Sequence, residues 1–290
     1  MHLKARAKIN WTLDIVGQRP DGYHLMDMLM QPVTLADDVT LIPADEIILT
    51  TGGSPLLPAD ENHLSYRAAV ALRKHTGYSG GAAIHVEKHI PVGAGMGGGS
   101  ADAAGVLIGL NKLWGLNLPQ GELEAIGLTL GADVPFCIRG GLTRTTGIGE
   151  IMENLPCRHG WPLVVIQPCE GLSTKEIFTA YHEGTVNARP NNDAAALALA
   201  RGDAVALSAA MANVMQPVSE ARRPGIRDAI STLKAHGAFV AQMTGSGSAV
   251  FGAFTDEAFA SAAYESLRTR WERTYLCKTC DESVAISNEN

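Results

Sequence analysis

Five glycines crowd residues 93–99 of the segment Pro91-Val-Gly-Ala-Gly-Met-Gly-Gly-Gly-Ser100, directly ahead of a helical pattern. A backbone so free of side chains lets a ligand approach its amides. Free amides at a helix start, reinforced by the macrodipole, bind anions. A run of glycines also loses much conformational freedom on folding, which makes it costly as a mere connector. The segment therefore predicts a phosphate-binding loop. Two familiar phosphate loops do not fit. Gly93-x-Gly95-x-x-Gly98 matches a dinucleotide fingerprint, but residues 83–88 before it alternate polar and apolar, and residues 111–119 after it hold no acid. Gly93-x-x-x-x-Gly98 opens a Walker A pattern, yet Gly99 stands where its lysine should be. The eukaryotic-type protein kinase motifs are absent as well. The cation that this loop lacks must come from elsewhere in the fold.

Several elements must position the loop and supply that charge. Ala5, Ala7, Ile9, Trp11, Leu13 and Ile15 alternate with Arg6, Lys8, Asn10, Thr12 and Asp14. Period two predicts a strand with one face on the core and Lys8 on the polar face. Pro20-Asp21-Gly22 supplies turn chemistry, so Tyr23-His24 emerges at a strand-to-loop junction. Short strands are expected to about residue 53, then a loop over 52–55, a helix over 64–75 closed by Gly77, and a strand over 83–88. A helix over 100–114 takes Ser100 as N-cap and Gly115 as stop. Another, over about 120–130, ends at Gly131 and puts Ala132-Asp133-Val134-Pro135 in a loop. Pro156, Gly160 and Pro162 mark a change of character, dividing the chain into domains 1–155 and 156–290. Beyond it come an apolar strand at 163–166 and helices near 173–183 (capped by Ser173 with Glu176), 193–200, 203–215 and 225–236. A strand, tight turn and strand over 239–251, a helix over 256–270 and a strand over 274–278 complete the second half.

Three segments together resemble the motifs of the GHMP small-molecule kinases: Lys8-Ile-Asn10, the stretch from Pro91 through Ser100-Ala-Asp-Ala-Ala104, and Thr244-Gly-Ser-Gly-Ser-Ala-Val-Phe251. Their order spans nearly the whole chain. Gly17-Gln-Arg-Pro-Asp-Gly-Tyr-His24 and Gly127-Leu-Thr-Leu-Gly-Ala-Asp-Val-Pro135 are similar to the branch of that family acting on a cytidine-diphosphate-linked sugar alcohol of isoprenoid biosynthesis. The resemblance implies an α+β fold of two domains, the first like ribosomal S5 domain 2 and the second ferredoxin-like, with the active site in the cleft. It implies transfer of phosphate from ATP, with Mg²⁺, to the 2-hydroxyl of that alcohol. It places the ATP phosphates on Gly93, Ala94, Gly95, Met96, Gly97, Gly98, Gly99 and Ser100, with Pro91 and Ala101 adjoining. The adenine would lie between Leu64 and Lys88, where the usual Asn-Leu pair reads His63-Leu64. Asp133 becomes the catalytic base and Lys8 its partner, able to polarise the acceptor hydroxyl. The cytosine would stack between Tyr23 and Phe178, while His24 bonds the base edge and Asn10 holds the alcohol end. Thr174 and the turn from Thr244 to Gly247, including Gly245, would line the phosphate end. No metal ligand is named, because magnesium keeps several waters and few protein ligands.

Composition bounds the alternatives. The chain has 290 residues, 46% hydrophobic and 18% charged, enough apolar material for a core. Net charge is −7, and no basic run exceeds two residues, against a nucleic-acid partner. The N-terminus lacks a signal-like apolar region, and no apolar stretch approaches a membrane span, so a soluble, cytoplasmic protein is expected. Five cysteines are too few for a disulfide scaffold, and Cys277-Lys-Thr-Cys280 lacks a second ligand pair, so reduced thiols are expected. A homoserine- or mevalonate-type kinase has no cytosine to hold, which Asp-Gly-Tyr-His24 argues against. A non-catalytic nucleotide-binding regulator would have no need of both Lys8 and Asp133.

Overall fold

The computed structural model describes residues 1–54, 60–157, 160–181, 186 and 188–287. In chain order the first half holds β1 (His2–Gln18), β2 (His24–Ala44), β3 (Ile47–Gly52), α1 (Leu64–Thr76), β4 (Gly81–Glu87), α2 (Gly98–Leu113), α3 (Gln120–Leu128), α4 (Val134–Arg139), β5 (Leu142–Gly147) and β6 (Ile151–Leu155). The second half holds β7 (Pro162–Ile166), α5 (Thr174–Ala180), α6 (Asn192–Arg201), α7 (Ala204–Ala210), α8 (Gln216–Arg222), α9 (Gly225–Ala235), β8 (Val240–Met243), β9 (Val250–Ala253), α10 (Glu257–Leu267), β10 (Thr274–Lys278) and β11 (Val284–Ser287).

Two sheets organise this two-domain α+β fold. The larger runs β11-β1-β2-β4-β3, with β5 also on β2 and β6 on β5. The smaller is antiparallel, in the order β10-β7-β9-β8. The expected division near residue 155 falls between β6 and β7, but β11 returns to the first sheet and pairs with His2–Ala5 of β1. The expected short strands before residue 53 are largely one strand, β2, long enough to pair with β4 through Asp38–Ala44 and with β5 through Met26–Met30.

The alternation in β1 is real, but its apolar residues do not share one core. Leu3 and Ala5 pack into one cluster with α2, while Ala7, Ile9 and Trp11 join Leu163, Val165 and Phe251 of the second sheet. Leu13 and Ile15 return to the first cluster. Register shifts between Arg6 and Lys8 and between Asn10 and Thr12 account for this, because an extra residue re-aims the side chains that follow. The polar residues Lys8, Asn10 and Thr12 are consequently buried rather than solvated.

Helix ends differ from expectation where tertiary contacts decide. The residue capping α2 is Gly97, in the left-handed region at φ 71°, so Ser100 lies inside the first turn and is not the cap. The segment 203–215 ends as helix at Ala210, because Leu13 and residues 212–214 exchange backbone hydrogen bonds. The helix expected over 173–183 spans Thr174–Ala180, and residues 182–183 lie outside the described residues. Asp133 heads a short helix, α4, instead of sitting in a loop.

Candidate active site

A cleft of about 700 Å³ opens between the two halves of the molecule. Its floor is the glycine loop. The first-turn amides of α2 have no side-chain cap, in contrast to α1, α6, α7 and α10, which His63, Asn191, Asp203 and Asp256 cap. Only at Ala101, donating to the Gly97 carbonyl, does the helical ladder of α2 begin. Uncapped amides at a helix start are an anion site.

The loop is held by the second half of the chain. A Cβ on Gly245 would lie 2.7 Å from the Gly95 carbonyl oxygen, and one on Gly171 would lie 2.8 Å from that of Gly93. Glycine at these positions lets three backbones touch. Ala249 adds a hydrogen bond from its N–H to the Ala94 carbonyl at 3.1 Å.

Lys8 supplies the cation that the loop lacks. Its stem runs against the loop, since a Cβ on Gly97 would lie 3.2 Å from Lys8 Cγ. Its Nζ donates to Asn10 Oδ1 at 2.8 Å and stands 3.7 Å from Asp133 Oδ2. Asp133 occupies the N-cap position of α4 without capping it, which leaves its carboxylate facing the cleft. Asn10 Oδ1 also accepts from the Gly245 N–H at 3.1 Å, and the Asn10 N–H donates to Thr244 Oγ1 at 3.0 Å. Asn10 thus ties Lys8 to the turn at residues 244–247. Its side-chain carbonyl is committed to these partners and so joins the two halves at the cleft.

Of the residues singled out from sequence, Lys8, Asn10, Leu64, Lys88, Pro91, Gly93–Ser100, Asp133, Thr174, Phe178 and Gly245 line the cleft. Ala101 is buried behind the loop. The slot expected between Tyr23 and Phe178 is not formed. Tyr23 follows the Pro20–Gly22 turn at a hairpin tip and is 62% exposed. Phe178 instead stacks on His24, with centroids 5.3 Å apart at 26°, and Tyr181 meets the same imidazole edge-on at 5.8 Å. Thr174 Oγ1 pairs with Ser246 Oγ at 2.9 Å. Lys88 is 6% exposed, and its ammonium is bonded to Asp37 and Asp102.

His63, Met26, Met28 and Asp60 also line the cleft and were not foreseen as a group, whereas Ser246 lies in the expected turn. His63 Nδ1 accepts from the Ser65 N–H at 3.2 Å, capping α1. Burial, with help from the Lys88 charge, holds its imidazole below the usual histidine range. The cap had a sequence signal, a polar residue just before Leu64, but histidine is not among the usual caps.

The cleft's geometry has relatives. A model of the GHMP kinases N-terminal domain matches residues 63–141, and one of the GHMP kinases C-terminal domain matches residues 195–273. A 4-diphosphocytidyl-2-C-methyl-D-erythritol kinase of Alkaliphilus metalliredigens is 38% identical over 280 residues, 96% of each chain. The chain belongs to the GHMP kinase family. A relative of the same description from Symbiobacterium thermophilum is 41% identical, covering 96% of this chain and 99% of its own. Among solved structures, a crystal structure of 4-(cytidine 5'-diphospho)-2C-methyl-D-erythritol kinase superposes with a TM-score of 0.83 at 33% identity, over 96% of this chain and 99% of that one. Homoserine kinase from Cytophaga hutchinsonii, at 18% identity and a TM-score of 0.78, shares the GHMP kinase fold.

Proposed function

We propose that this GHMP kinase transfers the γ-phosphoryl group of ATP to the 2-hydroxyl of 4-diphosphocytidyl-2-C-methyl-D-erythritol, giving the 2-phosphate for isoprenoid precursor synthesis. The observation that carries the reading is the meeting, in one cleft, of uncapped α2 amides with the Lys8–Asp133 pair. The names of the full-length relatives support the choice of acceptor.

Phosphoryl transfer asks little covalent chemistry of a protein; alignment and charge neutralisation do most of the work. The loop amides hold the triphosphate and fix the γ-phosphorus. Asp133 accepts a hydrogen bond from the acceptor hydroxyl and takes its proton as the new P–O bond forms. Lys8 faces the same point and stabilises charge on the attacking oxygen and the transferred group. Among the described residues no three histidine, cysteine or carboxylate side chains form a metal cage, and the carboxylates lining the cleft are Asp60 and Asp133. Bound with ATP, Mg²⁺ would supply charge neutralisation for the phosphates, with Asp133 the cleft carboxylate near enough to share in holding it.

At the acceptor end, the Phe178 ring, stacked on His24 and lining the cleft, offers an aromatic face for the cytosine. Base stacking of this kind contributes ~1–3 kcal/mol per ring. No helix among the described residues is long and apolar enough to cross a membrane, and the proposed location is the cytoplasm, where cysteines stay reduced. The test is an acceptor panel with MgATP: the cytidylated alcohol should be phosphorylated, while mevalonate, homoserine and 2-C-methyl-D-erythritol 4-phosphate should be poor acceptors. Equal turnover of the acceptor lacking the cytidyl group would remove the aromatic pocket from the account.

A further inference from the structure

Beneath the glycine loop lies a charged cluster that the proposed chemistry does not use. Lys88 Nζ donates to Asp37 Oδ2 and to Asp102 Oδ2, and both carboxylates are fully buried. Three elements contribute: Asp37 comes from β2, Lys88 from the residue following β4, and Asp102 from the second turn of α2. The other oxygen of Asp37 accepts the N–H groups of His89 at 2.6 Å and Ile90 at 2.8 Å, the two residues that lead into Pro91 and the loop. The entrance to the loop is therefore tied to Asp37 and its exit helix to Asp102, with Lys88 joining them. Lys88 Nζ would lie 3.4 Å from a Cβ on Gly98.

Burying three ionisable groups is expensive, and well-packed apolar residues of similar volume would serve stability as well. What the cluster supplies and an apolar trio could not is directional restraint on both ends of one loop. We propose that Asp37, Lys88 and Asp102 form a clamp that fixes the glycine loop in its phosphate-receiving shape, making Lys88 a positioning residue for ATP and not a ligand of it. The proposal rests on the nucleotide half of the function proposed above and is independent of the acceptor.

The clamp has a charge state that can be addressed. Burial, with Asp37 adding to it and Lys88 opposing it, pushes the Asp102 carboxyl up to about 8. The shift favours the protonated form of Asp102 at neutral pH, which beside Asp37 and Lys88 would leave the cluster neutral overall. Above that range it gains a negative charge beneath the amides that receive the triphosphate. The groups facing Asp102 are Asp37 from β2, Lys88 after β4, and the Cys137 thiol on α4, which burial keeps protonated, with the Lys8–Asp133 pair beyond it. His63, ahead of α1, faces Lys88. β1 meets α2 with Leu3 and Ala5, and β11 and α3 share the same apolar cluster.

The experiment is calorimetric titration of the whole protein with Mg²⁺ and the non-hydrolysable ATP analogue AMP-PNP, from pH 7 to 9.5. Wild type should lose about tenfold in affinity across that range as the buried charge appears, whereas Asp102→Asn, the isostere of the protonated side chain, should vary by less than about threefold. Lys88→Met should weaken AMP-PNP binding while leaving the preference for adenine over guanine nucleotides unchanged. Parallel pH profiles for wild type and Asp102→Asn would overturn the proposal. So would Lys88→Met with undiminished affinity, or with a changed base preference, which would put Lys88 on the nucleotide. If Lys88→Met fails to fold, the two pH profiles still decide. Absence of AMP-PNP binding at every pH in folded wild type would overturn the nucleotide reading itself, and the clamp with it.

Discussion

Replacing Lys8 by methionine isolates the charge from the side chain's packing. Lys8 is 4% exposed, and its stem lies against Gly97, so methionine keeps the buried volume while deleting the ammonium. The separation of 3.7 Å from Nζ to Asp133 Oδ2 sets the reach over which the charge acts at the acceptor oxygen. At an effective dielectric near 20, two unit charges at that distance interact by about 4.5 kcal/mol. The Asp133 side chain is 37% exposed, and solvent screening cuts the effect to about 2–3 kcal/mol. That corresponds to a ~30- to 150-fold fall in kcat. The loss belongs to the transition state, so the Kd for ATP should move by less than about threefold. Rapid-quench single turnovers with both substrates saturating would measure it, with circular dichroism to show that the fold is intact. A folded Lys8→Met that transfers phosphate within threefold of wild type would refute the assignment of Lys8, and with it the argument that the loop's missing lysine is replaced from β1.

Three further outcomes follow from the same geometry. Asp133→Asn should lower kcat by about 10²-fold or more, and the double mutant with Lys8→Met should be little worse than either single mutant, as judged by a double-mutant cycle of single-turnover rates. Gly97→Val should abolish ATP binding in calorimetry while leaving a folded chain, because φ 71° and the 3.2 Å approach to Lys8 leave no room for a branched side chain. Phe178→Ala should raise KM for the cytidylated acceptor about tenfold or more and leave KM for ATP unchanged in steady-state assays, since its ring stacks on His24 at the acceptor end.

Much of the site was legible because its signals are local. Five glycines before a helix announce an anion loop in any fold, and the alternation in β1 puts Lys8 and Asn10 side by side on one face. What escaped the sequence depends on partners far along the chain. Lys88 reads as a lone cation, and only folding brings Asp37, 51 residues away, and Asp102 to it. The break in the helix expected over 203–215 comes where residues 212–214 pair with Leu13, and there the Asn213 amide donates to the carbonyls of Met243 and Gly245 at 2.9 Å each, supporting the turn at 244–247. Two errors had readable signals. Pro135 in the first turn of α4 is a helix-start residue, and it marks the start of a helix with Asp133 at its N-cap position in place of the expected loop. Gly97 at the N-cap has no side chain to bond the first-turn amides of α2, which leaves them open to an anion.

The most direct test of the account is the product itself. With γ-labelled ATP, Mg²⁺ and 4-diphosphocytidyl-2-C-methyl-D-erythritol, phosphorus NMR should show one new phosphate monoester per ADP formed. Carbon–phosphorus coupling should place it on the oxygen at carbon 2. ADP release without a labelled acceptor, or label on a different hydroxyl, would contradict the alignment of Asp133, Lys8 and the glycine loop described above.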